Sequence, residues 1–552
     1  MNDQHIPDKT YPKNESNKLL REKQDGMIAL INDETPHLGQ TGTPPLSTDA
    51  IAFATLSRLR KNLLFTVVIV AITTDTIGTS CLFVSTEAVA RDMDLEQGGN
   101  AIWIISAYAM AFAACIPLGG RLCDVFPPQW WYLSGFAGMS ALTLGNSFVN
   151  ERKAFLAFRA LQGICAALTV PSGFSMVVHM FPNKAEQRTR LIGCSVIWSL
   201  GTISGFIFGG VLSFAHWRWI FRFLACAAGA GGLLGWLLMP VAARTSSLLT
   251  GNDHWKSLLL QLKRFDLFGV FLIMSVLLLF SLGLTSATVY GWHSPTFIAP
   301  FIISLVLLPC FCLWELKLDE RHAMIPVAIM KQASFLVLCF TGLCAEMFFT
   351  VTQLGPSRYF QDVLDDSSII VAGKLSAQIV GAIIGGLIHT FYISKFIPAH
   401  YRLLGGMVLG IVPGILLLVL SRGGKGMDYW RFICPGYVIG AIGMVVVFQV
   451  CNVSIIQAAP PRYSGIASSV FQMCAQTGIV IGASVQAALY TAVPAGLADW
   501  RGNQYSFYFL IGCLAVAMVL VVIFLPKMQP EPRESRDRNE GTDDPESTRD
   551  VL

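Results

Sequence analysis

The sequence predicts an all-α polytopic membrane protein, with two six-helix halves, two additional helices between them and about 14 transmembrane helices in total. Three observations carry that prediction. Charged residues make up 13% of the chain and apolar residues 53%, against roughly 25% charged in an ordinary soluble domain. Mean hydropathy is +0.57, so 552 residues hold too few charges to coat soluble domains and most of the surface must face lipid. Apolar runs of about 20 residues, the length that crosses a bilayer as a helix, recur along the chain with polar punctuation between them.

Residues 1–60 are polar and lack the short apolar core and cleavage site of a signal peptide, so a disordered cytosolic tail is expected there, with the first spanning helix as an uncleaved signal. A first six-helix half is expected over 61–241, with apolar cores at 62–84, 101–121, 130–149, 154–180, 190–214 and 219–241. Residues 242–333 hold charged linkers and a pair of additional helices, with cores at 267–289 and 297–317. A second six-helix half is expected over 334–526, with cores at 334–354, 368–393, 401–421, 430–457, 464–492 and 504–526. The segment 527–552 mixes Glu, Asp and Arg with almost no apolar residues and is expected to be a disordered cytosolic tail.

Basic residues orient the chain. Arg58, Arg60 and Lys61 precede the first helix, Lys184, Arg188 and Arg190 fall between helices 4 and 5, and Lys263 with Arg264 between 6 and 7. All share one parity, which the positive-inside rule places in the cytosol with both termini. The expected location is the plasma membrane, with a vacuolar or other internal membrane as the alternative.

The formal net charge of +4 points to neither nucleic acid nor an acidic macromolecular partner. All fourteen cysteines lie in or beside apolar segments, so no structural disulfide is expected. No Cys or His group has metal-site spacing and no G-x-x-x-x-G-K-[ST] loop occurs, so neither metal nor cofactor is expected and the chain does not read as an enzyme.

The halves echo each other. Gly119-Gly120 is followed by Trp131-Tyr132-Leu133-Ser134-Gly135, and Gly385-Gly386 by Tyr401-Arg402-Leu403-Leu404-Gly405. Duplicated halves place a solute site at their interface near the midplane.

Ionisable residues inside spanning helices mark function by default, because an unpaired charge in the bilayer costs several kcal/mol. Asp75 lies half-way along helix 1 within Thr73-Thr74-Asp75-Thr76, Arg159 at a matching level in helix 4, and Glu346 inside helix 9. The threonines beside Asp75 could alternatively satisfy it, and Lys374 could simply snorkel to the interface. His389, close to a helix end, is explained by interfacial hydration. Gly201, Gly205 and Gly209 smooth one face of helix 5 for close contact with another helix.

Several of these stretches resemble the major facilitator superfamily, and specifically its 14-spanner drug:proton antiporter branch as found in fungi. Gly120-Arg121-Leu122-Cys123-Asp124 resembles the start of the loop motif between helices 2 and 3, although Pro127, Pro128 and Gln129 replace its usual Gly and basic residues. Phe158-Arg159-Ala160-Leu161-Gln162-Gly163 is similar to the helix 4 motif, whose Arg is associated with proton coupling. Gly201 to Gly210 is similar to the helix 5 antiporter motif, with Phe206 in place of its Pro. Trp217-Arg218-Trp219-Ile220-Phe221, Tyr359-Phe360-Gln361, Trp314-Glu315 and Asp75 with its threonines also match the branch.

The resemblance implies a proton-coupled efflux transporter that exports drugs, toxins or secondary metabolites by alternating access. Its partners would be a small-molecule substrate, protons and the bilayer, and the chain would act as a monomer without nucleic acid. Asp75, Arg159 and Glu346 are then the proton-coupling candidates. Tyr108, Gln162, Trp198, Gln378, Asn452 and Gln476 are the substrate-binding candidates, since aromatic and amide surfaces suit bulky, weakly polar ligands. Gly120, Asp124, Gly201, Gly205 and Gly209 form the conformational motifs. An importer or facilitator, for example of a siderophore, is the alternative within the class, and a transporter-like solute-sensing receptor the alternative outside it.

Overall fold

The structure is a computed structural model that describes residues 56–95, 100–181, 183–239, 266–318, 332–458, 464–492 and 500–525. Most of the tail expected over 1–60, all of that over 527–552 and the greater part of both charged linkers lie outside the described residues. Among the described residues there are fourteen long helical segments, each on one expected apolar core. They are α1 (Arg58–Asp92), α2 (Ile102–Val125), α3 (Pro128–Asn146), α4 (Arg152–Met180), α5 (Lys184–Ala215), α6 (Arg218–Leu238), α7 (Leu267–Tyr290) and α8 (Pro295–Lys317). Then come α9 (Ala333–Asp362), α10 (Ser368–Ile388), α11 (Ala399–Leu409, continued to Leu420), α12 (Cys434–Ala458), α13 (Ser464–Ala492) and α14 (Arg501–Phe524).

Twelve of these segments are, by length and composition, able to cross a membrane on their own. The other two are α3 and α5. Gln129, Ser134 and three glycines dilute α3, while α5 opens on polar turns from Lys184 to Arg190 and then continues as the apolar stretch 191–215. The chain is thus a multi-pass, all-helical membrane protein.

Local chemistry sets several ends. Ser57 caps α1 by accepting from the Arg60 amide at 3.4 Å. Pro128 and Pro295 stand in the first turns of α3 and α8, where a missing N–H costs nothing. Gly291, at φ +87°, ends α7 in a conformation open chiefly to glycine. One-turn π-helices continue α10 at His389–Ile393, interrupt α11 at Gly410–Ile415 around Pro413 and open α12 at Tyr429–Ile433.

Pairing between helices repeats from half to half. In the first half α1 packs on α5 and α6, α2 on α4, and α3 on α4 and α6. In the second, α9 packs on α13 and α14, α10 on α12, and α11 on α12 and α14. Adding eight to a first-half helix number gives its second-half counterpart. The halves meet through α2 with α13 and α5 with α10, and the same exchange converts one pair into the other. The echo between Gly119-Gly120 and Gly385-Gly386 is therefore a property of the three-dimensional pairing as well as of the sequence.

Polar clasps close the halves at their edges. The Arg60 guanidinium donates to the last α6 carbonyls, Leu238 at 2.7 Å and Met239 at 3.0 Å. At the other end Trp217 Nε1 and Arg218 both donate to the Asp92 carboxylate, at 3.1 and 3.2 Å. The additional pair is tied by Asp266, which caps α7 through the Gly269 amide at 2.9 Å and accepts from Trp314 Nε1 of α8 at 3.0 Å. Among the described residues α7 of that pair lies against the bundle, on α2 and α13, while α8 packs chiefly on α7 and turns most of its surface outward.

Candidate functional site

Where α4 crosses α2, Gly163 permits an approach so close that a Cβ would stand 2.4 Å from the Tyr108 carbonyl oxygen. That crossing decides where Arg159, one turn earlier, is delivered. Its guanidinium carbon lies 4.6 Å from the Tyr108 ring centroid, a cation–π distance. Its Nε donates to the Ile104 carbonyl at 3.2 Å and an NH group to Gln162 Oε1 at 2.8 Å. The Tyr108 hydroxyl donates to the Asp75 carboxylate. All four side chains are buried. Among the described residues Asp75 and Arg159 make no direct ion pair; Tyr108 stands between them and touches both.

The threonines do not satisfy Asp75. Thr74 and Thr76 each donate at 2.7 Å to a carbonyl one turn back, Val70 and Ile72, which occupies their hydroxyl protons within the helix. The carboxylate depends on Tyr108 instead.

Asp75 and Tyr108 border a central cavity between the halves, with about 140 Å³ in which the centre of a water molecule can lie. The first half contributes α1, α2, α4 and α5; the second contributes α9, α10, α12 and α13. The cavity extends from the middle of the helices toward the end where α1 begins, as Phe174 late in α4, Trp198 early in α5 and Asn452 late in α12 indicate. The far end is closed across the halves. There Arg358 Nε of α9 meets Glu87 of α1 at 3.0 Å, Ser357 donates to the Phe83 carbonyl and Gln361 to the Val84 carbonyl, both at 3.2 Å.

Hydrogen-bond chemistry orients three of the cavity amides or leaves them incomplete. The Thr352 hydroxyl gives its proton to the Phe348 carbonyl at 2.7 Å, so it can only accept from Gln378 Nε2 at 2.6 Å. Gln378 Oε1 is left buried without a partner among the described residues, as is Gln472 Oε1. On α12, Gln449 Oε1 lies 2.8 Å from His389 Nδ1, while His389 Nε2 lies 2.9 Å from an Arg402 NH group. A guanidinium only donates. His389 Nε2 must therefore accept, Nδ1 carries the hydrogen, and Gln449 presents its oxygen to His389 and its NH2 group to the cavity.

The sequence profile of the Major Facilitator Superfamily matches residues 63–341 and 375–551. The chain belongs to that superfamily. It is similar to the efflux pump terG of Aspergillus terreus, 24% identical over 80% of this chain and 82% of that protein. It is also similar to the uncharacterized MFS-type transporter Rv1250 of Mycobacterium tuberculosis, 27% identical over 71% of this chain but only 64% of that protein. The crystal structure of the human organic anion transporter MFSD10 matches with a TM-score of 0.56 and 16% identity, over 84% of this chain and 99% of that one, a likeness of fold. As a major facilitator protein, the chain is a transporter of small molecules and not an enzyme.

Within the superfamily fold, Asp75, Glu346, Tyr108, Trp198, Gln378, Asn452 and Gln476 all line the central cavity. Arg159 and Gln162 do not. They share a side recess with Asp75 and Tyr108, where Gln162 holds Arg159 rather than facing the cavity. Glu346 has no side-chain partner among the described residues. Lys374 reaches back to Asp366 in the loop that precedes α10 and lies over the Phe360 ring. His389 is buried and bonded, not hydrated at an interface. Gly120 lies against Ser469 of α13, so it belongs to the contact between halves, and Gly201, Gly205 and Gly209 lie against Thr76, Ser80 and Cys81 of α1. The Asp124 side chain lies outside the described residues.

Sequence reasoning missed Gln353, Gln449 and Gln472, all of which line the cavity. Each shares a helix face with a residue it did select: Gln353 two turns after Glu346, Gln449 one turn before Asn452 and Gln472 one turn before Gln476. Same-face spacing of amides was the available signal.

Proposed function

We propose that the protein is a proton-coupled exporter of small organic molecules, of the 14-spanner drug:proton antiporter branch, working as a monomer by alternating access across the plasma membrane. The observation that carries this reading is the Asp75–Tyr108–Arg159 unit, a buried carboxylate reached from a cavity between the two halves and linked to a buried guanidinium through one tyrosine. The likeness to an efflux pump supports the outward direction.

In this reading Asp75 carries the proton. Protonation removes its negative charge, weakens its demand for the Tyr108 hydrogen and lets Tyr108 and Arg159 relax against α2 and α4, the helices that pack on each other in the first half. A proton drives transport only if it binds the two conformers unequally, and contact with a ring pinned between α1 and α4 makes the carboxylate's surroundings depend on how those helices pack. With the basic loops in the cytosol, the cavity extends toward the cytosol and the Glu87–Arg358 end is the closed outer gate, so the conformer is one that loads substrate from inside.

The test is transport in sealed vesicles. Wild-type accumulation against a gradient is expected to collapse with a protonophore. Asp75→Asn is expected to bind substrate and exchange it downhill without pumping. Uphill transport that survives the protonophore, or an Asp75→Asn protein that still pumps, removes this mechanism and favours a facilitator.

A further inference from the structure

Three part-buried basic side chains at the closed end of the molecule each have an acidic partner. Arg218 has Asp92 at 3.2 Å, Arg358 has Glu87 at 3.0 Å, and Lys374 has Asp366. Arg222 does not. It lies one turn further into α6 than Arg218, about 6 Å along the helix axis, and makes no hydrogen bond or ion pair among the described residues. Its Nε is buried, whereas its two terminal NH2 groups reach the molecular surface.

The surroundings of Arg222 are apolar and face outward. Its guanidinium carbon lies 4.8 Å from the Trp219 ring centroid and 5.5 Å from that of Phe148, which follows the end of α3. Phe148 is 63% and Trp219 51% exposed, and Leu144, one turn before Phe148, and Phe223, next to Arg222, are exposed as well. In a chain that crosses a bilayer this face of α3 and α6 meets lipid, and an exposed Trp near a helix end marks the headgroup level. The rings offset part of the positive charge but give its N–H groups no lone pair. Asp92 already accepts from Trp217 and Arg218.

A guanidinium on a lipid-facing surface is costly unless water or an anion meets its N–H edge. At the border between headgroups and acyl chains the abundant anion is a phosphate diester. Two of its oxygens match two parallel N–H donors of a guanidinium. We propose that Arg222 holds the phosphate of a phospholipid, with Trp219 and Phe148 flanking the headgroup and the acyl chains lying on the exposed face of α3 and α6. With the basic loops in the cytosol this is the outer leaflet. The site does not depend on Asp75 or on the direction of transport.

The test is a lipid titration of the purified, delipidated full chain in detergent, read by native mass spectrometry and by the midpoint of thermal unfolding. The probes are dioleoylphosphatidylglycerol, which has phosphate and chains, dioleoylglycerol, which has chains alone, and inorganic phosphate. Phosphatidylglycerol is expected to bind wild type at least about tenfold tighter than Arg222→Gln, the scale of one charge-assisted hydrogen bond. Arg222→Lys, which keeps the charge and loses the fork, is expected to fall between them. Dioleoylglycerol is expected to bind all three alike, and millimolar inorganic phosphate to leave the difference in place. Because Arg222 has no hydrogen-bond partner within the chain, the midpoint without lipid is expected to be unchanged in Arg222→Gln, while phosphatidylglycerol raises it less than in wild type.

Phosphatidylglycerol that binds wild type no more tightly than dioleoylglycerol overturns the proposal without any variant having to fold. A folded Arg222→Gln protein that keeps wild-type affinity for phosphatidylglycerol does the same. Inorganic phosphate that abolishes the difference would make the site one for a free anion and not for a lipid. Arg152→Gln removes an exposed charge from the first turn of α4 at the same end and is expected to change the affinity by less than about twofold. An equal loss there would mean that binding follows the net charge of that surface, which also overturns the assignment to Arg222.

Discussion

His389 on α10 donates through Nδ1 to the Gln449 side-chain oxygen on α12 at 2.8 Å, and this pair decides which end of Gln449 the cavity meets. His389→Leu removes the donor and leaves Gln449 free to turn. Loss of a buried partner predicts about 1–3 kcal/mol of destabilisation, read as a lower midpoint of thermal unfolding in detergent. His389→Asn places an amide NH near the lost Nδ1 and is expected to recover much of it. Equal loss in both variants would mean that His389 acts by volume and not by that hydrogen.

Tyr108 is the link between Asp75 and Arg159, and Tyr108→Phe separates its two contacts. The ring remains for Arg159 while the hydroxyl that serves Asp75 is gone. Proton-driven transport is expected to fall at least about tenfold, the effect of about 1.4 kcal/mol on the coupled step, while substrate binding stays near wild type. Uphill transport at the wild-type rate from a folded Tyr108→Phe protein would detach Tyr108 from coupling.

The Glu87–Arg358 pair joins the halves at the closed end, with side chains only 11% and 14% exposed. Removing one partner strands a mostly buried charge, so Glu87→Gln and Arg358→Gln are each expected to open that end. Hydrogen–deuterium exchange over 83–95 and 354–366 is expected to accelerate by about tenfold or more, and the swap Glu87→Arg with Arg358→Glu to restore part of the protection. Unchanged exchange in both single variants would reduce the pair to a surface contact.

The glycine face of α5 is graded, and the grading predicts the order of damage. A Cβ at Gly209 would lie 2.8 Å from Cys81 backbone atoms, one at Gly205 would lie 2.5 Å from the Ser80 Cβ, and one at Gly201 only 3.2 Å from the Thr76 Cβ. At Gly193 it meets nothing within 4 Å among the described residues. Alanine is therefore expected to be tolerated at 193, mild at 201 and most damaging at 205 and 209, in folded yield and in transport. Damage at 193 equal to that at 209 would point to helix propensity rather than packing on α1.

The amino-acid sequence by itself determined the helices, their number and the duplicated halves, because spanning length and hydropathy are properties of each segment alone. It also exposed Asp75, Arg159 and Glu346, since a charge within an apolar run stands out whatever surrounds it. What touches those charges was decided only by the tertiary structure. Tyr108 is one aromatic among many until the Gly163 crossing lays Arg159 on its ring. Gln162 is as polar as Gln378, yet the packing of α4 turns it to the side recess beside Asp75 while that of α10 turns Gln378 to the cavity. Glu87 and Arg358 lie 271 positions apart and carry no local sign of each other. Helix rotation and crossing angle come from side-chain packing between distant segments, and a difference of one residue turns a side chain by roughly 100° about the axis, so no single segment contains the information that assembles the site.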